Sequence, residues 1–255
     1  MFSRLFGRGK KEESPYDNLP VPETANWGML GADMHSHFLP GIDDGAKTME
    51  DSLNLLRNMA DMGYKTIITT PHVFIDYYPN TSEIITGKLA EVQQACKENN
   101  IDIQLKAAAE YYIDEYLMQL IDKEPLLTIH NNEVLAEFSM VYEPPMLAQS
   151  IFKLQTAGYK PIIAHPERYV FFHRDISKYQ ELKDRGCLLQ LNMLSIAGYY
   201  GQHIKMIAEK LLSMGLYDYC GSDAHHDKHT SVLRAMACSR DYHKITGYPF
   251  LNSRL

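Results

Sequence analysis

The sequence is poor in the features that mark secreted, membrane-spanning or nucleic-acid-binding proteins. It has only four cysteines and no CxxC pair, which argues against a disulfide framework and is typical of cytosolic proteins. No apolar run reaches the length of a membrane span, and no stretch resembles the apolar core of a signal peptide. Lysine and arginine number 25 against 32 aspartates and glutamates, so a nucleic-acid surface is not expected. We therefore expect a cytoplasmic protein with no nucleic-acid partner.

The chain is long enough for one large domain, since it has 255 residues of which 45% are hydrophobic. We expect this domain to occupy residues 29–255, preceded by a partly flexible N-terminal extension over residues 1–28. Residues 1–12 combine apolar and basic side chains. A disordered terminus is the simpler interpretation of that arm. The alternative is a weak contact with a membrane surface, which would hold the protein near the inner membrane.

Four stretches repeat one pattern, in which a helix end and a glycine precede a short apolar run and then polar residues. The glycines suit the left-handed position that ends a helix. They are Gly63, Gly158, Gly186 and Gly215. The apolar runs do not alternate, as expected of strands buried on both faces. Runs of this kind give seven candidate strands, near residues 31–36, 65–70, 103–110, 133–138, 160–165, 187–192 and 217–222.

Helices are predicted between these strands. Thr48 and Asp51 resemble a capping box at the start of one helix, and apolar periodicity predicts others around residues 89–96, 147–154 and 204–214. Successive strands begin about 30 residues apart, the size of a βαβ unit. This alternation requires a parallel sheet and predicts an α/β fold, a (β/α) barrel of seven strands in a single domain. An open, doubly wound sheet is the alternative.

Polar residues stand at the C-terminal ends of the predicted strands, which form the working face of such a barrel. They are His35, His37, His72, Glu110, Glu137, His165, Asn192, Asp223 and His225. His35 and His37 are two positions apart on a strand and project to the same side, and Asp223 and His225 repeat that geometry. Asp44 lies in a loop that can fold over the same barrel mouth, whereas Asp43 is interpreted as a loop residue only.

Glu110 and Glu137 are the most informative of these residues because they lie inside apolar runs. A buried carboxylate is costly unless a cation compensates it. A pair of buried salt bridges to Arg168 is the alternative. An isolated histidine is more often structural than a ligand, but the whole set at one barrel mouth predicts a metal site.

The number of donors exceeds the needs of one ion. A typical catalytic ion uses three or four protein ligands, so we expect two or three divalent ions that share carboxylates. Nitrogen and oxygen donors without cysteine are compatible with Mn, Fe or Zn. Arg168, three residues after His165, is a candidate phosphate ligand. Its alternative is a surface ion pair with Glu167.

The motifs DMHSH, DDG, TTPH, AAE, AEFS, AHPERY and GSDAH occur in the order found in the PHP (polymerase and histidinol phosphatase) superfamily. The resemblance covers about residue 30 to about residue 229. HSHFLPGIDDG and AHPERY resemble in particular the metal-dependent protein-tyrosine phosphatases of bacterial capsule and exopolysaccharide loci. This resemblance implies a distorted (β/α)7 TIM-like barrel with a trinuclear site that usually contains manganese.

The same resemblance implies a role for each donor. It assigns one ion to His35, His37, Glu110 and Asp223, a second to Glu110, Glu137 and His165, and a third to Asp44, His72 and His225. It makes Arg168 a phosphate ligand. We also count Asp223 and His225 among the catalytic residues, and His225 or a metal-bound water is the candidate general acid if one is needed. The family's second phosphate-binding arginine has no counterpart in HHDKHTSVLR, where His226, Lys228, His229 and Arg234 are the candidates to replace it.

The implied activity is hydrolysis of phosphotyrosine on a bacterial tyrosine autokinase that controls capsule synthesis. A cysteine-dependent tyrosine phosphatase is excluded, because none of the four cysteines begins a Cys-x5-Arg loop. Two alternatives stay open: a small-molecule phosphatase of the histidinol-phosphatase kind, and a non-catalytic regulatory module that binds metal. The sequence makes no prediction of the oligomeric state.

Overall fold

The computed structural model describes residues 26–255, in which every strand ladder is parallel. The strands of this part of the chain are β1 (Ala32–Asp33), β2 (Thr66–Thr69), β3 (His72–Val73), β4 (Gln104–Ala107), β5 (Glu110–Tyr112), β6 (Glu133–Glu137), β7 (Lys160–Ala164), β8 (Leu188–Asn192) and β9 (Tyr219–Gly221). Its α-helices are α1 (Met49–Asp61), α2 (Ser82–Glu98), α3 (Glu115–Leu120), α4 (Leu147–Thr156), α5 (Ser177–Asp184), α6 (Met193–Ile196), α7 (Gln202–Ser213), α8 (Asp227–Ala237) and α9 (Asp241–Thr246). Short 3-10 helices occupy Trp27–Leu30, Pro166–Arg168, Val170–Phe172 and Leu251–Arg254.

Each of the seven predicted strand positions contains an observed strand, and two of them are continued by a second short strand. β2 stops at Thr69, and Pro71, which has no N–H to donate to a ladder, separates it from β3. The neighbouring β4 stops at Ala107, opposite Thr69, before β5 resumes. The two breaks lie side by side, and they place His72 directly opposite Glu110 where the chains pair again.

The strands form two sheets, ordered β1-β2-β4 and β3-β5-β6-β7-β8-β9. The first and last strands meet just beyond their ends, where Ser36 and Ala224 form a single parallel bridge. There the His37 amide donates to the Ala224 carbonyl at 2.9 Å, and the Asp223 amide donates to the His35 carbonyl at 2.7 Å. A Cβ on Gly221 would lie 2.6 Å from the Cβ of His35, so glycine permits this close approach. We call this junction between β1 and β9 the seam.

Alternate residues along the strands enter two separate apolar clusters. Leu135 and Ile162 belong to an inner cluster, whereas their neighbours Val134 and Ile163 face the helices. The inner cluster contains no residue of an α-helix, and only Leu251 and Leu255 pack against it from outside the strands and their connections. The strands therefore curve around this cluster. The predicted single-domain α/β fold is confirmed, and the open doubly wound sheet is not observed.

The local signals predicted from the sequence are also present. Thr48 and Asp51 form the predicted capping box of α1, with each side chain accepting a hydrogen bond from the other's backbone amide. The four predicted helix-ending glycines all have positive φ, between 70° and 94°. No helix within residues 26–255 is both long and apolar enough to cross a membrane.

The predicted boundary between residues 28 and 29 stays a prediction. Trp27 is fully buried and its indole nitrogen donates to the Leu233 carbonyl at 3.1 Å, so the packed structure includes at least this residue of the expected extension. The predicted basic arm over residues 1–12 lies outside the described residues.

Candidate metal centre

The nine predicted donors come together at one end of the sheets, where His72 and Glu110 begin the short continuing strands β3 and β5. Ligand-capable atoms lie within 4.8 Å of one another in four overlapping groups: His37, Asp44, His72 and His225; His35, His165 and Asp223; His35, His37 and Glu110; and His72, Glu110 and Glu137. Because the groups share members, they form one continuous donor set. The set takes donors from the ends of six strand positions and from one loop.

His35 and His37 are completely buried just after β1. Their Nε2 atoms lie 3.3 Å apart, and each lies within 3.5 Å of both Glu110 and Asp223. The alternation of side chains along an extended segment explains why both rings point to the same side. Two imidazole nitrogens and two carboxylates that converge in this way are suitable donors for a divalent cation.

Glu110 stands at the centre of the set and has no exposed surface. Its Oε2 lies 3.2 Å from Nε2 of His35 and 3.2 Å from Nδ1 of His72, and its Oε1 lies 3.1 Å from Nε2 of His165. The carboxylate is thus surrounded by imidazoles and has no ion pair with Arg168. The alternative interpretation of Glu110 as an arginine salt bridge is wrong.

His72, Asp44 and His225 form the outer part of the set. Oδ1 of Asp44 lies 3.4 Å from Nε2 of His72 and 3.4 Å from Nε2 of His225. Glu137 joins on the other side of His72, with Oε1 at 3.0 Å from Nδ1. The Asp44 side chain is 52% exposed, so this part of the set faces solvent while the His35 and Glu110 part does not.

Asp223 and His165 hold their positions through unusual backbone conformations. Their φ angles are 49° and 35°, in the left-handed region that residues other than glycine seldom adopt. Such strain concentrates at functional sites, where the surrounding structure holds it. Nε2 of His165 also lies 3.9 Å from Glu137. The three side chains that were predicted to share one ion, Glu110, Glu137 and His165, are therefore neighbours in the structure.

Two residues that the sequence did not reveal orient the buried histidines. The buried carboxylate of Asp43 accepts a hydrogen bond from Nδ1 of His37 at 2.9 Å, so the interpretation of Asp43 as a loop residue only is wrong. Oε1 of Gln190 accepts from Nδ1 of His35 at 2.9 Å. In a neutral ring, each contact places the proton on Nδ1 and so makes Nε2 available to a metal. The sequence did contain one indication of a role for Gln190, since it is a polar residue inside the apolar run LLQLN.

Arg168 points into the same cavity from the 3-10 helix after β7. Its Nη1 donates to Oδ2 of Asp223 at 2.9 Å, and its guanidinium lies 4.3 Å from the centroid of the Tyr200 ring. Asn192 donates to that same Asp223 oxygen at 2.7 Å and to the Tyr200 hydroxyl at 3.3 Å. Glu167 instead accepts from Tyr217 and from a backbone amide. The alternative pairing of Arg168 with Glu167 is therefore wrong.

The candidates for the missing second arginine separate into two pairs. His226 and His229 line the cavity, and burial, as the main cause, lowers the pKa of both rings. Arg234 lies away from the cavity, where it is 3.7 Å from Asp61, and the Lys228 ammonium lies 5.3 Å from the Tyr199 ring centroid. The cavity wall around His226 and His229 thus carries no permanent positive charge among the described residues.

The electrostatics of the donor set favour added positive charge. Burial lowers the pKa of His35, but the charges of Glu110 and Asp223 outweigh it and raise that pKa to about 9. Burial raises the pKa of Glu110, but His35 and His72 hold it well below its usual range. Carboxylates that hold a proton on His35 this firmly can hold a divalent cation in its place. The donors therefore fit a metal centre.

The metal centre opens into a cavity of about 350 Å³. Its lining residues are Asp44, His72, Glu137, Met140, His165, Arg168, Tyr200, Asp223, His225, His226 and His229. The lining thus combines candidate metal ligands with one guanidinium group, that of Arg168. This combination suits an anionic ester whose oxygens bind both to cations and to the arginine.

Comparisons with known proteins agree with this geometry. A family model described as "Capsular polysaccharide synthesis, CpsB/CapC" matches residues 31–248. Tyrosine-protein phosphatase YwqE of Bacillus subtilis is 30% identical over 197 residues, 77% of this chain and 78% of that protein. Tyrosine-protein phosphatase CpsB of Streptococcus pneumoniae is 28% identical over 200 residues, 76% of this chain and 82% of that protein.

A solved structure from the work on YwqE and CpsB, described there as metal-dependent tyrosine phosphatases, superposes with a TM-score of 0.74 and 28% identity. It covers 84% of this chain, and the match spans 91% of that structure. The likeness therefore extends over almost all of the described residues.

Proposed function

The chain belongs to the CpsB/CapC family of capsular polysaccharide synthesis proteins, and from this premise we propose that it is a metal-dependent phosphatase that hydrolyses phosphotyrosine in proteins. The observation that carries the proposal is that Arg168 lines one cavity together with six members of the donor set and contacts one of them, Asp223. Its relatives YwqE and CpsB are named tyrosine-protein phosphatases. The proposed substrate is a bacterial tyrosine autokinase that acts in capsule synthesis.

We assign the metal ligands as the resemblance implies. They are His35, His37, Asp44, His72, Glu110, Glu137, His165, Asp223 and His225. The overlap of the donor groups supports two or three ions, and a donor set of nitrogen and oxygen without thiolate supports manganese, with iron or zinc as the alternatives. When bound, such ions activate water and neutralise phosphoryl oxygens.

Arg168 binds and orients the phosphate in this proposal. Its guanidinium is held on one side by Asp223 and on the other by the Tyr200 ring, so its free nitrogens can meet phosphoryl oxygens without further ordering. Asp223 contributes to catalysis by holding both Arg168 and the metal. The charge of Arg168 counts most in the transition state, where negative charge on the phosphoryl oxygens is redistributed.

No protein nucleophile is needed, because the four cysteines lie outside the cavity lining and water attacks phosphorus directly. Tyrosinate is a workable leaving group, since the tyrosine pKa is about 10. His225 donates through Nδ1 to the Asp223 carbonyl at 2.9 Å, which turns its Nε2 towards Asp44 and the metal side. We assign His225 to holding a metal together with Asp44, and a strong general acid is not required.

A cytoplasmic location completes the proposal. All four cysteines are free thiols, and three are buried, which supports a reducing compartment. A position close to the inner membrane depends on residues 1–12 and stays a prediction.

The test is phosphate release from a phosphotyrosine peptide and from histidinol phosphate at matched concentrations, with Mn²⁺, Fe²⁺ or Zn²⁺ supplied in turn. We expect metal-dependent hydrolysis of the peptide and a loss of about 100-fold in kcat/KM for Arg168→Met. The matched control is Arg57→Met, because Arg57 lies outside the cavity lining and donates to the exposed Asn99.

Each alternative has its own signature in this assay. Faster hydrolysis of histidinol phosphate would identify a small-molecule phosphatase. A protein that binds the metals but hydrolyses neither ester would be a non-catalytic regulatory module, and the proposed function would be rejected.

A further inference from the structure

Two loops beside the metal centre carry an unusual share of exposed apolar surface. Ile75 and Tyr77 belong to the loop after His72, and Val141 and Tyr142 to the loop after Glu137. Tyr77 is 71% exposed and Tyr142 is 60% exposed. These four are among ten large hydrophobic side chains exposed within residues 26–255. The other six lie on other segments: Met29, Ile84, Phe152, Val170, Met206 and Met214.

Stacked rings connect the first of these loops to Tyr112 of β5 and to the site. Phe74 stacks on Tyr112 with centroids 4.0 Å apart and lies 4.9 Å from Tyr77. Burial and then the neighbouring Tyr142 raise the pKa of Tyr112, which places that tyrosine beside the second loop. Tyr78 stacks on the ring of His72 itself. We define the apolar band as Phe74, Ile75, Tyr77, Tyr112, Val141 and Tyr142.

The charges carried by the segments of the band itself are all of one sign, and Lys178 and Arg185 come close only at Glu143, with which they line a small pocket. Within residues 73–79, 110–117 and 138–146 there is no lysine or arginine, whereas Asp76, Glu115 and Glu143 are exposed there. The pKa of Asp114 is raised by burial and also by Glu115 and Asp76, so these carboxylates lie near one another. A partner that lies on the band therefore gains from basic residues and loses from acidic ones.

We propose that the apolar band binds the residues of a protein substrate that flank its phosphotyrosine, and that it selects apolar and basic side chains there. This inference rests on the proposed function. The band continues from the rim of the cavity, since Met140 lines the cavity and Val141 and Tyr142 follow it in the chain. A polypeptide whose phosphate reaches the metal centre must cross this rim, whereas a small phosphate ester does not. Exposed aromatic side chains supply contact area at low entropic cost.

The experiment compares three substrates with one double variant, Tyr77→Ser with Tyr142→Ser. The substrates are a phosphotyrosine peptide flanked by leucine and lysine, a second peptide flanked by glycine and glutamate, and p-nitrophenyl phosphate. We expect the wild type to prefer the first peptide. In the double variant, the ratio of kcat/KM for the first peptide to that for p-nitrophenyl phosphate should fall about tenfold, mainly through KM. The control is Phe152→Ser, an exposed apolar residue on α4, which should leave the ratio as in the wild type.

Three outcomes would overturn the inference. The ratio could stay unchanged in the double variant, or the second peptide could be the better substrate. The wild type could also form a dimer that the double variant loses without any change of ratio, which would make the band a contact between copies of the chain. Failure of the proposed function is distinguishable, because then the wild type hydrolyses neither peptide, whether or not it hydrolyses p-nitrophenyl phosphate.

Discussion

Replacing Asp43 by asparagine should weaken metal binding without removing any metal ligand. In the wild type, Oδ2 of Asp43 accepts from Nδ1 of His37 at 2.9 Å and from the His72 amide at 3.3 Å, while Oδ1 accepts from the Gly45 amide at 2.9 Å. Asparagine has only one oxygen, so one of these donors must face an NH2 group. The negative charge that makes His37 a better ligand is also removed.

The magnitude follows from the role of the Asp43 carboxylate as the partner that orients His37. Changes in the partners that orient ligating histidines cost about 10- to 100-fold in metal affinity, which is about 1.4 to 2.7 kcal/mol. One charge-assisted hydrogen bond in a buried position contributes a similar amount. We therefore expect the Kd for Mn²⁺ to rise by about one to two orders of magnitude in Asp43→Asn.

The assay is calorimetric titration of metal-stripped protein with Mn²⁺, followed by activity at saturating metal. At saturation, most of the activity should return, because every ligand is still present. The matched control is Asp102→Asn, since Asp102 forms an exposed ion pair with Lys65. A Kd within twofold of the wild type in Asp43→Asn would refute the reasoning. Thermal unfolding of the metal-free variants checks that a changed Kd does not report unfolded protein.

Three further predictions follow from the cavity and the core, and a fourth from the metals. Tyr200→Phe should keep the ring under Arg168 and hold KM for phosphotyrosine peptide near the wild-type value, whereas Tyr200→Ala should raise this KM about tenfold. Equal KM values in the two variants would contradict the role of the Tyr200 ring in positioning Arg168. Arg234→Gln should leave kcat/KM within twofold, because Arg234 pairs with Asp61 outside the cavity, and a large loss in phosphate-release assays would show that it reaches the substrate. Leu56→Ala, at a fully buried position of α1, should cost about 2 to 5 kcal/mol of unfolding free energy in urea denaturation, and a cost below about 1 kcal/mol would contradict the packing. Chelation of the metals should abolish activity reversibly and lower the Tm, and activity that survives complete metal removal would contradict a metal-dependent reaction.

Much of this architecture could be predicted because it follows local rules. Glycine after a helix and an apolar run after the glycine reveal a βα repeat, and Gly158 and Gly186 show both signals. The same rules put His35 and Glu110 at strand ends, and parallel strands bring those ends to one edge. The breaks beside Pro71 were not predicted, since an interruption shared by two neighbouring strands depends on their register.

The parts of the site that were not predicted are those that depend on tertiary contacts. Nothing in the sequence around Asp43 distinguishes it from Asp44, and only the fold shows that one carboxylate meets Nδ1 of His37 while the other faces His72. Arg234 was a candidate for the second phosphate-binding arginine because of its position in the sequence. The direction of α8 carries it towards α1 instead.

The position of the donors on both sides of the seam between β1 and β9 links metal binding to the closure of the fold. The two strands join through a single bridge, yet His35 and His37 stand on one side of it and Asp223 and His225 on the other. Ions bound by both sides would cross-link the first strand to the last. This cross-link would close a loop that contains most of the chain, as a disulfide does in a secreted protein. Metal binding and the pairing of β1 with β9 would then be thermodynamically coupled. Slower hydrogen exchange at the amides of His37 and Asp223 in the metal-loaded than in the metal-free protein would show that metal binding stabilises the seam.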